Sequence, residues 1–273
     1  RGGSSKMPGS ATSCAPRSAD GVDTSDDAVL GGRLILRQPL KGHRVGHDAI
    51  LLAAATGGRD GERAVEFGAG VGAAGLALAQ RVPGLLVTLV EIDPALCALA
   101  ADNAARNGLS GRVRAVAADV EDAVALAAAG LAPASIDRVL MNPPFNDPAR
   151  HNVSPDARRR LAHVAGPDLL REWLAGAAAL LKPGGVLTLI WRADARAEVL
   201  ATLTGDFGDV TVLPVYPRAD APPIRILVRA VKGAAAGRRD VTGLVLNDGS
   251  GRPAAAAEAV LRGGETLSLA KPA

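Results

Sequence analysis

The tetrapeptide Asn142-Pro143-Pro144-Phe145 directly follows the apolar run Ile136–Met141, which has the composition of a buried strand. Two consecutive prolines fix φ and remove two N–H donors, so the backbone stiffens where the asparagine amide and the neighbouring carbonyls project. Acceptors held without competing donors can take both hydrogens of a planar –NH2 group, and the aromatic ring can lie against a flat conjugated substrate. The same residues also fit a plain proline-rich strand end whose phenylalanine packs in the core.

A second group of residues suited to chemistry surrounds a glycine-rich turn. The run Glu66-Phe67-Gly68-Ala69-Gly70-Val71-Gly72 follows a short apolar segment and opens a helical pattern. In a doubly wound sheet, this is where backbone N–H groups meet a nucleotide-containing cofactor. Glu91 ends the next β-rich run, about 20 residues further on, where a carboxylate can accept both ribose hydroxyls. Together these features indicate an adenosine-bearing cofactor, and by themselves they fit NAD equally well.

Asp119 comes just after a third β-rich run, Val113–Ala117. At that position its carboxylate could accept a hydrogen bond from the amino group of an adenine. It could equally serve as the N-cap of a helix expected near Val120–Ala129. Both interpretations stay open from the sequence.

Strand-like and helix-like segments alternate from Ala64 to Val231, which predicts βαβ units. Asp93-Pro94 opens a helix that Asn107-Gly108 closes, and Lys182-Pro183-Gly184-Gly185 ends another. The predicted strands are Ala64–Phe67, Leu85–Ile92, Val113–Ala117, Ile136–Met141 and Val186–Trp191, with Val210–Leu213 and Ile224–Val231 as a closing antiparallel pair. Further predicted helices are Ala73–Arg81, Asp168–Lys182 and Ala254–Arg262. We therefore expect an α/β fold with a doubly wound, mostly parallel seven-stranded sheet and helices on both faces.

Composition limits the class of protein. With 273 residues and 48% hydrophobic content, the chain can bury one core of roughly 200 residues. A formal charge of +3 permits nucleic-acid binding without requiring it. Cys14 and Cys97, without a CxxC pair or a ligand cluster, predict neither a disulfide framework nor a metal site. No apolar run reaches the roughly 18 residues of a membrane span, so we expect a cytoplasmic protein without a membrane partner.

The character of the sequence changes along the chain. Residues 1–27 are rich in Ser, Gly, Ala and, toward the end, Asp, and they contain no apolar signal segment, so we expect a disordered tail. A single catalytic domain is expected over residues 28–232. Residues 233–273 form a C-terminal extension with a turn at Asn247-Asp248-Gly249.

The order of the motifs distinguishes between the cofactors. A glycine turn after the first strand, acids after the second and third, and Asn-Pro-Pro-Phe after the fourth resembles the class I S-adenosylmethionine-dependent methyltransferases that modify planar nitrogens. Within that branch, the chain is similar to bacterial tRNA adenine-N6 methyltransferases that act on a valine tRNA beside the anticodon. The resemblance runs from about Leu30 to Lys232 and includes Lys41–Leu52. Phe145 stands where a tyrosine is commoner, and this change removes no needed group.

The resemblance implies a role for each site residue. Asn142 and the Pro143 carbonyl would accept the two N6 hydrogens of an adenine, and Phe145 would stack on the flipped base. Positioning and desolvation would then carry catalysis without a catalytic His or a metal. The implied cofactor-binding residues are Asp48 at the methionine end, Glu66, Gly68 and Gly70 in the turn, Glu91 on the ribose and Asp119 on the adenine amine.

RNA, most simply tRNA, is the expected partner of a monomeric protein. Arg158, Arg159 and Arg160 follow the tetrapeptide and could contact phosphates, or they could form a solvated helical face. The nearest alternative keeps the chemistry, because protein glutamine methyltransferases of release factors use a similar Asn-Pro-Pro-aromatic loop. These enzymes usually carry a helical domain, for which residues 1–63 look too short and too polar. An NAD-dependent oxidoreductase and a catalytically silent RNA-binding module are the alternatives from other classes.

Overall fold

The computed structural model describes residues 12–13, 23–41, 44–144 and 167–271. In this part of the chain the strands are β1 (Thr12–Ser13), β2 (Thr24–Val29), β3 (Leu34–Pro39), β4 (Arg63–Phe67), β5 (Leu86–Glu91), β6 (Val113–Ala117), β7 (Ile136–Met141), β8 (Leu181–Arg192), β9 (Phe207–Arg218), β10 (Arg225–Lys232), β11 (Arg238–Asp240) and β12 (Leu244–Asn247). The helices are α1 (His47–Ala55), α2 (Ala73–Arg81), α3 (Pro94–Arg106), α4 (Ala123–Ala128), α5 (Pro167–Leu180), α6 (Arg196–Thr202) and α7 (Ala255–Leu261).

One large sheet runs through the molecule in the order β1-β6-β5-β4-β7-β8-β10-β9-β11, and β12 also pairs with β9. The strands from β6 to β8 are parallel, whereas β10 is antiparallel to both β8 and β9. The seven strands from β6 to β9 confirm the expected doubly wound, mostly parallel sheet. The short strands β1, β11 and β12 extend its edges beyond the predicted seven.

The carboxyl ends of the parallel strands lie along one side of the sheet, which we call the carboxyl edge. It is formed by the ends of β6, β5, β4, β7 and β8. Because β10 runs the other way, its first residue, Arg225, pairs with Arg192 at this same edge. Loops that leave the carboxyl edge are where ligands bind in open parallel sheets, so the site is expected there.

Helices cover both faces of the sheet, as predicted. One core joins α1, α2 and α3 to the sheet and contains Leu52, Leu76 and Leu89. The other joins α4, α5 and α6 to the opposite face and contains Phe67 and Val90. Leu89 and Val90 are neighbours in β5 and both are fully buried, yet they belong to different cores because successive strand residues point to opposite faces. Such strands read as continuous apolar runs, which is why they were visible in the sequence.

Local sequence signals predicted the ends of several helices and strands correctly. The structure confirms α2, β6 and β7 residue for residue. Helix α3 begins after Asp93, whose Oδ1 accepts a hydrogen bond from the Ala95 N–H at 2.8 Å, and it is followed by Gly108 with φ of +69°. Helix α5 ends two residues earlier than predicted, because Leu181 already pairs with Ile136 of β7.

The hairpin β2–β3 corrects the expected disordered tail, because the last residues of the tail belong to β2. This strand pairs with β3 along its whole length. Asp26 accepts a hydrogen bond from Nε of Arg37 at 3.0 Å, and Asp27 lies 2.5 Å from Nη2 of Arg44. The acidic composition suggested disorder because the matching arginines lie further along the chain.

Asn103 in α3 and Asn107, the residue directly after that helix, attach this hairpin to the rest of the fold. Asn103 is fully buried, and its Oδ1 accepts from the Arg37 N–H at 2.7 Å. Its Nδ2 donates to the carbonyls of Arg37 and Val71, both at 3.0 Å. One turn later, Asn107 exchanges the same pair of hydrogen bonds with Ile35, at 3.0 and 2.9 Å. The side chains thus cover the outer edge of β3, and Asn103 links it to the glycine turn.

The residues after 233 pack against the rest of the fold. Strands β11 and β12 pair in parallel with β9. Helix α7 buries Ala257 and Val260, and the Leu267 N–H donates to the Ala54 carbonyl at 2.9 Å. This segment therefore lies against α1, the helix that carries Asp48.

Cys97 in α3 is fully buried and disulfide-bonded, which the sequence did not lead us to expect. Two isolated cysteines carry no spacing motif from which a pairing could be deduced. Among the helices of the described residues, none combines the length and the apolar content that crossing a bilayer would require.

Candidate active site at the carboxyl edge

The turn between β4 and α2 contains three glycines in the left-handed region, with φ of +61° at Gly68, +55° at Gly70 and +87° at Gly72. Their surroundings differ. A Cβ on Gly68 would lie 2.5 Å from the Trp173 ring, and one on Gly72 would lie 2.7 Å from Leu89. A Cβ on Gly70 would meet nothing within 4 Å. The first and last glycines therefore allow close packing, whereas the middle one borders open space where a ligand can reach the backbone.

Glu91 connects the end of β5 to the glycine turn. Its Oε2 accepts a hydrogen bond from the Gly70 N–H at 2.7 Å, and its Oε1 accepts from the Asp93 N–H at 2.9 Å. Burial raises the pKa of Glu91, and the N–H groups of Asp93 and Gly70 oppose that rise. Sequence reasoning missed this contact because the two loops are separate in the chain. Each carboxylate oxygen keeps a further lone pair, so a ribose contact remains possible.

Glu66 is a second buried carboxyl group at the end of β4. Its Oε2 accepts from the Gly75 N–H at 2.6 Å, and a Cβ on Gly75 would lie 2.8 Å from that oxygen. The pKa of Glu66 is raised to about 8, mainly by burial and also by the charge of Glu91, while the Gly75 N–H opposes the rise. Glu66 therefore holds a proton at neutral pH, and a nearby cation would favour its ionised form.

Asp119 does not cap the following helix. Asp122 does so instead, because its Oδ1 accepts from the Ala125 N–H at 2.9 Å. Oδ1 of Asp119 accepts from the Glu121 N–H at 3.0 Å, which fixes the carboxylate in the loop after β6. The N-cap interpretation of Asp119 is therefore wrong.

Asn142 lies where β7 ends. Its Oδ1 is buried and has no hydrogen-bond partner within the described ranges. Leaving a buried acceptor unpaired costs roughly 1–3 kcal/mol. Pro143 and Pro144 have no N–H to donate, so the following backbone cannot satisfy this oxygen. Such an atom at the carboxyl edge is suited to a ligand that brings its own donor.

Asp48 is held at the same edge by an ion pair. Its Oδ2 accepts from Nε of Arg225 at 2.8 Å, and the two side chains are 27% and 25% exposed. Arg225 opens β10, while Asp48 lies in the first turn of α1. No local signal in the sequence identified Arg225, because its partner lies far away in the chain.

The predicted residues that the structure describes come together around β4. The glycine turn follows β4, Glu91 and Asp119 lie at the ends of β5 and β6, and Asn142 follows β7 on the other side. The chain adds β5 and β6 on one side of β4 and then β7 and β8 on the other, so the topological switch point lies between β4 and β7. The predicted groups surround the crevice that such a switch point forms at the carboxyl edge. Phe145, Arg158, Arg159 and Arg160 lie outside the described residues. In the part of the chain that the structure covers, no cluster of three or more His, Cys, Asp or Glu residues could hold a metal ion.

The profile of a family described as the methyltransferase small domain matches residues 45–216, which include every element of this crevice. The chain belongs to the methyltransferase small domain family. This membership agrees with the resemblance to class I methyltransferases that the order of the motifs carries. It contradicts the alternative of an NAD-dependent oxidoreductase.

Among relatives, the release factor glutamine methyltransferase of Chlorobaculum tepidum is 33% identical over 176 residues, covering 62% of this chain and 59% of that protein. The tRNA1(Val) (adenine(37)-N6)-methyltransferase of Porphyromonas gingivalis is 34% identical over 155 residues, covering 55% and 59%. A crystal structure of a predicted O-methyltransferase from Agrobacterium tumefaciens has a TM-score of 0.67 and 28% identity, covering 81% of this chain and 98% of that one. The chain thus spans about three fifths of the length of both curated relatives.

Proposed function

We propose that the protein is an S-adenosylmethionine-dependent N-methyltransferase that methylates N6 of an adenine in tRNA. The observation that carries this proposal is the buried, unpartnered Oδ1 of Asn142 beside the glycine turn. A planar amino group can donate a hydrogen bond to this oxygen and a second one to a neighbouring carbonyl. A substrate methylated on a hydroxyl or on carbon has fewer hydrogens to donate there. The proposed catalytic domain covers residues 28–232, with 233–273 as an extension that supports α1.

The crevice fits a cationic, adenosine-bearing cofactor. Gly70 borders open space and its N–H donates to Glu91, and the pKa values of Glu91 and of Glu66, which senses the charge of Glu91, are both raised. A nearby cation stabilises the charged form of such buried acids. The nicotinamide half of NAD would not bring a cation to this turn. Glu91 holds the ribose hydroxyls, Asp119 accepts from the adenine amine, and Asp48 orients the methionine end. Bound S-adenosylmethionine supplies a methyl carbon attached to a positively charged sulfur.

The chain's own residues then prepare the acceptor. Asn142 Oδ1 and the Pro143 carbonyl accept the two amino hydrogens, which turns the nitrogen lone pair toward the cofactor side of the crevice. Phe145 stacks on the base that has flipped out of the RNA stack, a contact worth roughly 1–3 kcal/mol. A nitrogen that has gained a methyl group is strongly acidic, so it loses its proton without a dedicated base. Catalysis therefore depends on positioning and on excluding water.

The RNA partner and the cytoplasmic location belong to the same proposal. The tRNA methyltransferase of P. gingivalis supports the substrate at 34% identity, and Arg158, Arg159 and Arg160 provide phosphate contacts. A tRNA substrate places the reaction in the cytoplasm. The disulfide-bonded Cys97 would persist there because its burial limits attack by reducing thiols.

A release factor glutamine is the second candidate acceptor. The C. tepidum relative is 33% identical, so sequence similarity supports this acceptor about as strongly as it supports tRNA. A glutamine side chain also presents a planar –NH2 group that Asn142 can hold in the same way. The two substrates differ in charge, because only RNA brings phosphates to the rim of the crevice.

One assay separates the two candidates. The purified chain is incubated with methyl-labelled S-adenosylmethionine and either unmodified valine tRNA transcripts or release factor. We expect label in the RNA, recovered as N6-methyladenosine after nuclease digestion. Label that appears only in the release factor glutamine would overturn the RNA assignment, and label in neither would overturn the proposed activity.

A further inference from the structure

The tetrapeptide Arg-Ala-Asp-Ala occurs twice in this chain, once at Arg192–Ala195 and once at Arg218–Ala221. In each copy the arginine is the last residue of a strand, β8 in the first case and β9 in the second. Both strands point their carboxyl ends toward the same edge of the sheet. The two copies therefore form a natural matched pair, with identical local sequence and different distances from the crevice.

The two arginines differ in their hydrogen bonding. Nε of Arg218 donates to Oδ1 of Asp220 at 3.2 Å, and both side chains are well exposed. Nε of Arg192 lies 3.3 Å from Oδ1 of Asp194, but it is buried and makes no hydrogen bond within the described ranges. Asp194 is 75% exposed, so solvent screens the remaining attraction. Arg192 thus keeps an unused donor that Arg218 does not.

The two arginines also differ in position. Strand β8 lies beside β7, where Leu189 pairs with Met141, the residue before Asn142. Strand β9 is separated from β7 by β8 and β10. Neighbouring strands are about 4.8 Å apart, so Arg192 lies about one strand spacing from the proposed acceptor site and Arg218 about three. Arg225, directly opposite Arg192, is engaged by Asp48.

We propose that Arg192 binds a phosphate of the RNA substrate next to the target base. A guanidinium group presents donors in a planar fork that matches phosphate oxygens, and a phosphate would satisfy the buried Nε. In the absence of RNA, Asp194 holds the side chain weakly at the rim, and the phosphate displaces it. This inference rests on the proposed RNA substrate and adds a specificity residue outside the Asn-Pro-Pro loop and the arginine run that follows it.

The test compares Arg192→Ala with Arg218→Ala in the full chain. Binding of an unmodified tRNA transcript is measured by fluorescence anisotropy across a salt series, and cofactor binding by calorimetry. We expect Arg192→Ala to weaken RNA binding about tenfold and to reduce the salt slope by about one unit, since one phosphate contact is lost. Arg218→Ala should stay within about twofold of the wild type, and cofactor affinity should be unchanged in both. Arg192→Lys should recover only part of the RNA affinity, because lysine keeps the positive charge but not the planar fork.

The paired aspartates provide a second, independent readout. Asp194→Asn removes the anion that competes with phosphate, so it should tighten RNA binding several-fold, whereas Asp220→Asn should not. Equal losses in the two arginine variants would show a general charge effect and overturn the inference. Full RNA affinity in Arg192→Ala, or a loss of cofactor affinity instead, would overturn it as well. If Arg192→Ala does not fold, the lysine and asparagine variants decide the question.

The same measurements separate this inference from the proposed function. A wild-type protein that methylates tRNA while Arg192→Ala binds it normally would remove only the role of Arg192. A wild-type protein that neither binds nor methylates RNA, and modifies release factor instead, would remove both.

Discussion

The two sides of the crevice are prepared in opposite ways. On the cofactor side, at the ends of β4 and β5, the carboxyl groups of Glu66 and Glu91 already accept hydrogen bonds from backbone N–H groups. On the substrate side, at the ends of β7 and β8, Asn142 Oδ1 and Arg192 Nε are buried without partners within the described ranges. Satisfied polar networks hold their shape before a ligand arrives, whereas unsatisfied groups gain most when it does. The difference agrees with the proposal of a preformed cofactor site next to a substrate site that is completed only when the substrate binds.

The largest expected effect tests the substrate side. Asn142→Ala removes an acceptor that acts mainly in the transition state, so turnover should fall roughly 10²–10³-fold, or about 2.7–4.1 kcal/mol, while cofactor affinity is kept. Single-turnover methyl transfer and calorimetry measure the two quantities. Thr211→Val is the matched control, because Thr211 Oγ1 is also buried without a partner within the described ranges but lies in β9. A variant at Asn142 that keeps more than half of the turnover would refute its assignment.

A smaller effect tests the cofactor side. Glu91→Ala removes both the proposed ribose contact and the hydrogen bond that holds the Gly70 N–H. Cofactor affinity should fall roughly 10–100-fold, since hydrogen bonds to a charged group contribute about 1.5–3 kcal/mol. Glu62→Ala serves as the control, because Glu62 pairs with Arg138 at 2.8 Å and lies before the start of β4. Unchanged affinity in a folded Glu91 variant would leave it a structural strand-end residue.

The protonation of Glu66 gives the cofactor side a pH dependence. Its pKa is raised from 4.5 to about 8, so between those values the folded chain holds a proton that the unfolded chain releases. The free energy of unfolding of the ligand-free protein should therefore fall as the pH rises from about 4.5 to about 8, and level off above. Glu66→Gln should remove this contribution. Urea unfolding at several pH values gives the free energy of unfolding of the wild type and of Glu66→Gln as a function of pH. The same pH dependence in both proteins would contradict the assignment of a raised pKa to Glu66.

The smallest expected effect concerns the loop after β6. Asp119→Ala should weaken cofactor binding several-fold, as expected for one hydrogen bond worth roughly 0.5–1.5 kcal/mol, with little change in stability. Asp122→Ala should do the reverse, because losing an N-cap costs about 1 kcal/mol of stability. Calorimetry and urea unfolding of the two variants provide the comparison. If Asp119→Ala lowered stability and left cofactor binding unchanged, Asp119 would be a structural residue.

Sequence reasoning succeeded where the information is local. Helix α2 lies between the glycine turn and Pro83, and β7 ends at the prolines, so both were predicted residue for residue. The positions of Asn142 and Glu91 at the carboxyl edge were predicted because Asn142 directly follows a buried strand and Glu91 ends one. This reasoning needs no knowledge of distant contacts.

Contacts between distant segments could not be read in the same way. The hairpin β2–β3 depends on Asp26 meeting Arg37 and on asparagines at the C-terminal end of α3, so its acidic sequence resembled a disordered tail. The partner of Asp48 became visible only once β10 lay beside β8. The same holds for Arg192, whose tetrapeptide is identical to that of Arg218 and differs only in what surrounds it.

The packing of α7 and the following residues on α1 affects the order in which the chain folds. Ile50 and Ala54 share a core with Val260 and Leu267, which the ribosome makes much later. Contacts between segments so far apart in the sequence form slowly, and an apolar helix without its cover favours aggregation. We therefore expect α1 to stay exposed on the nascent chain until residues 255–271 have been made, so that the completed crevice is a late product of folding.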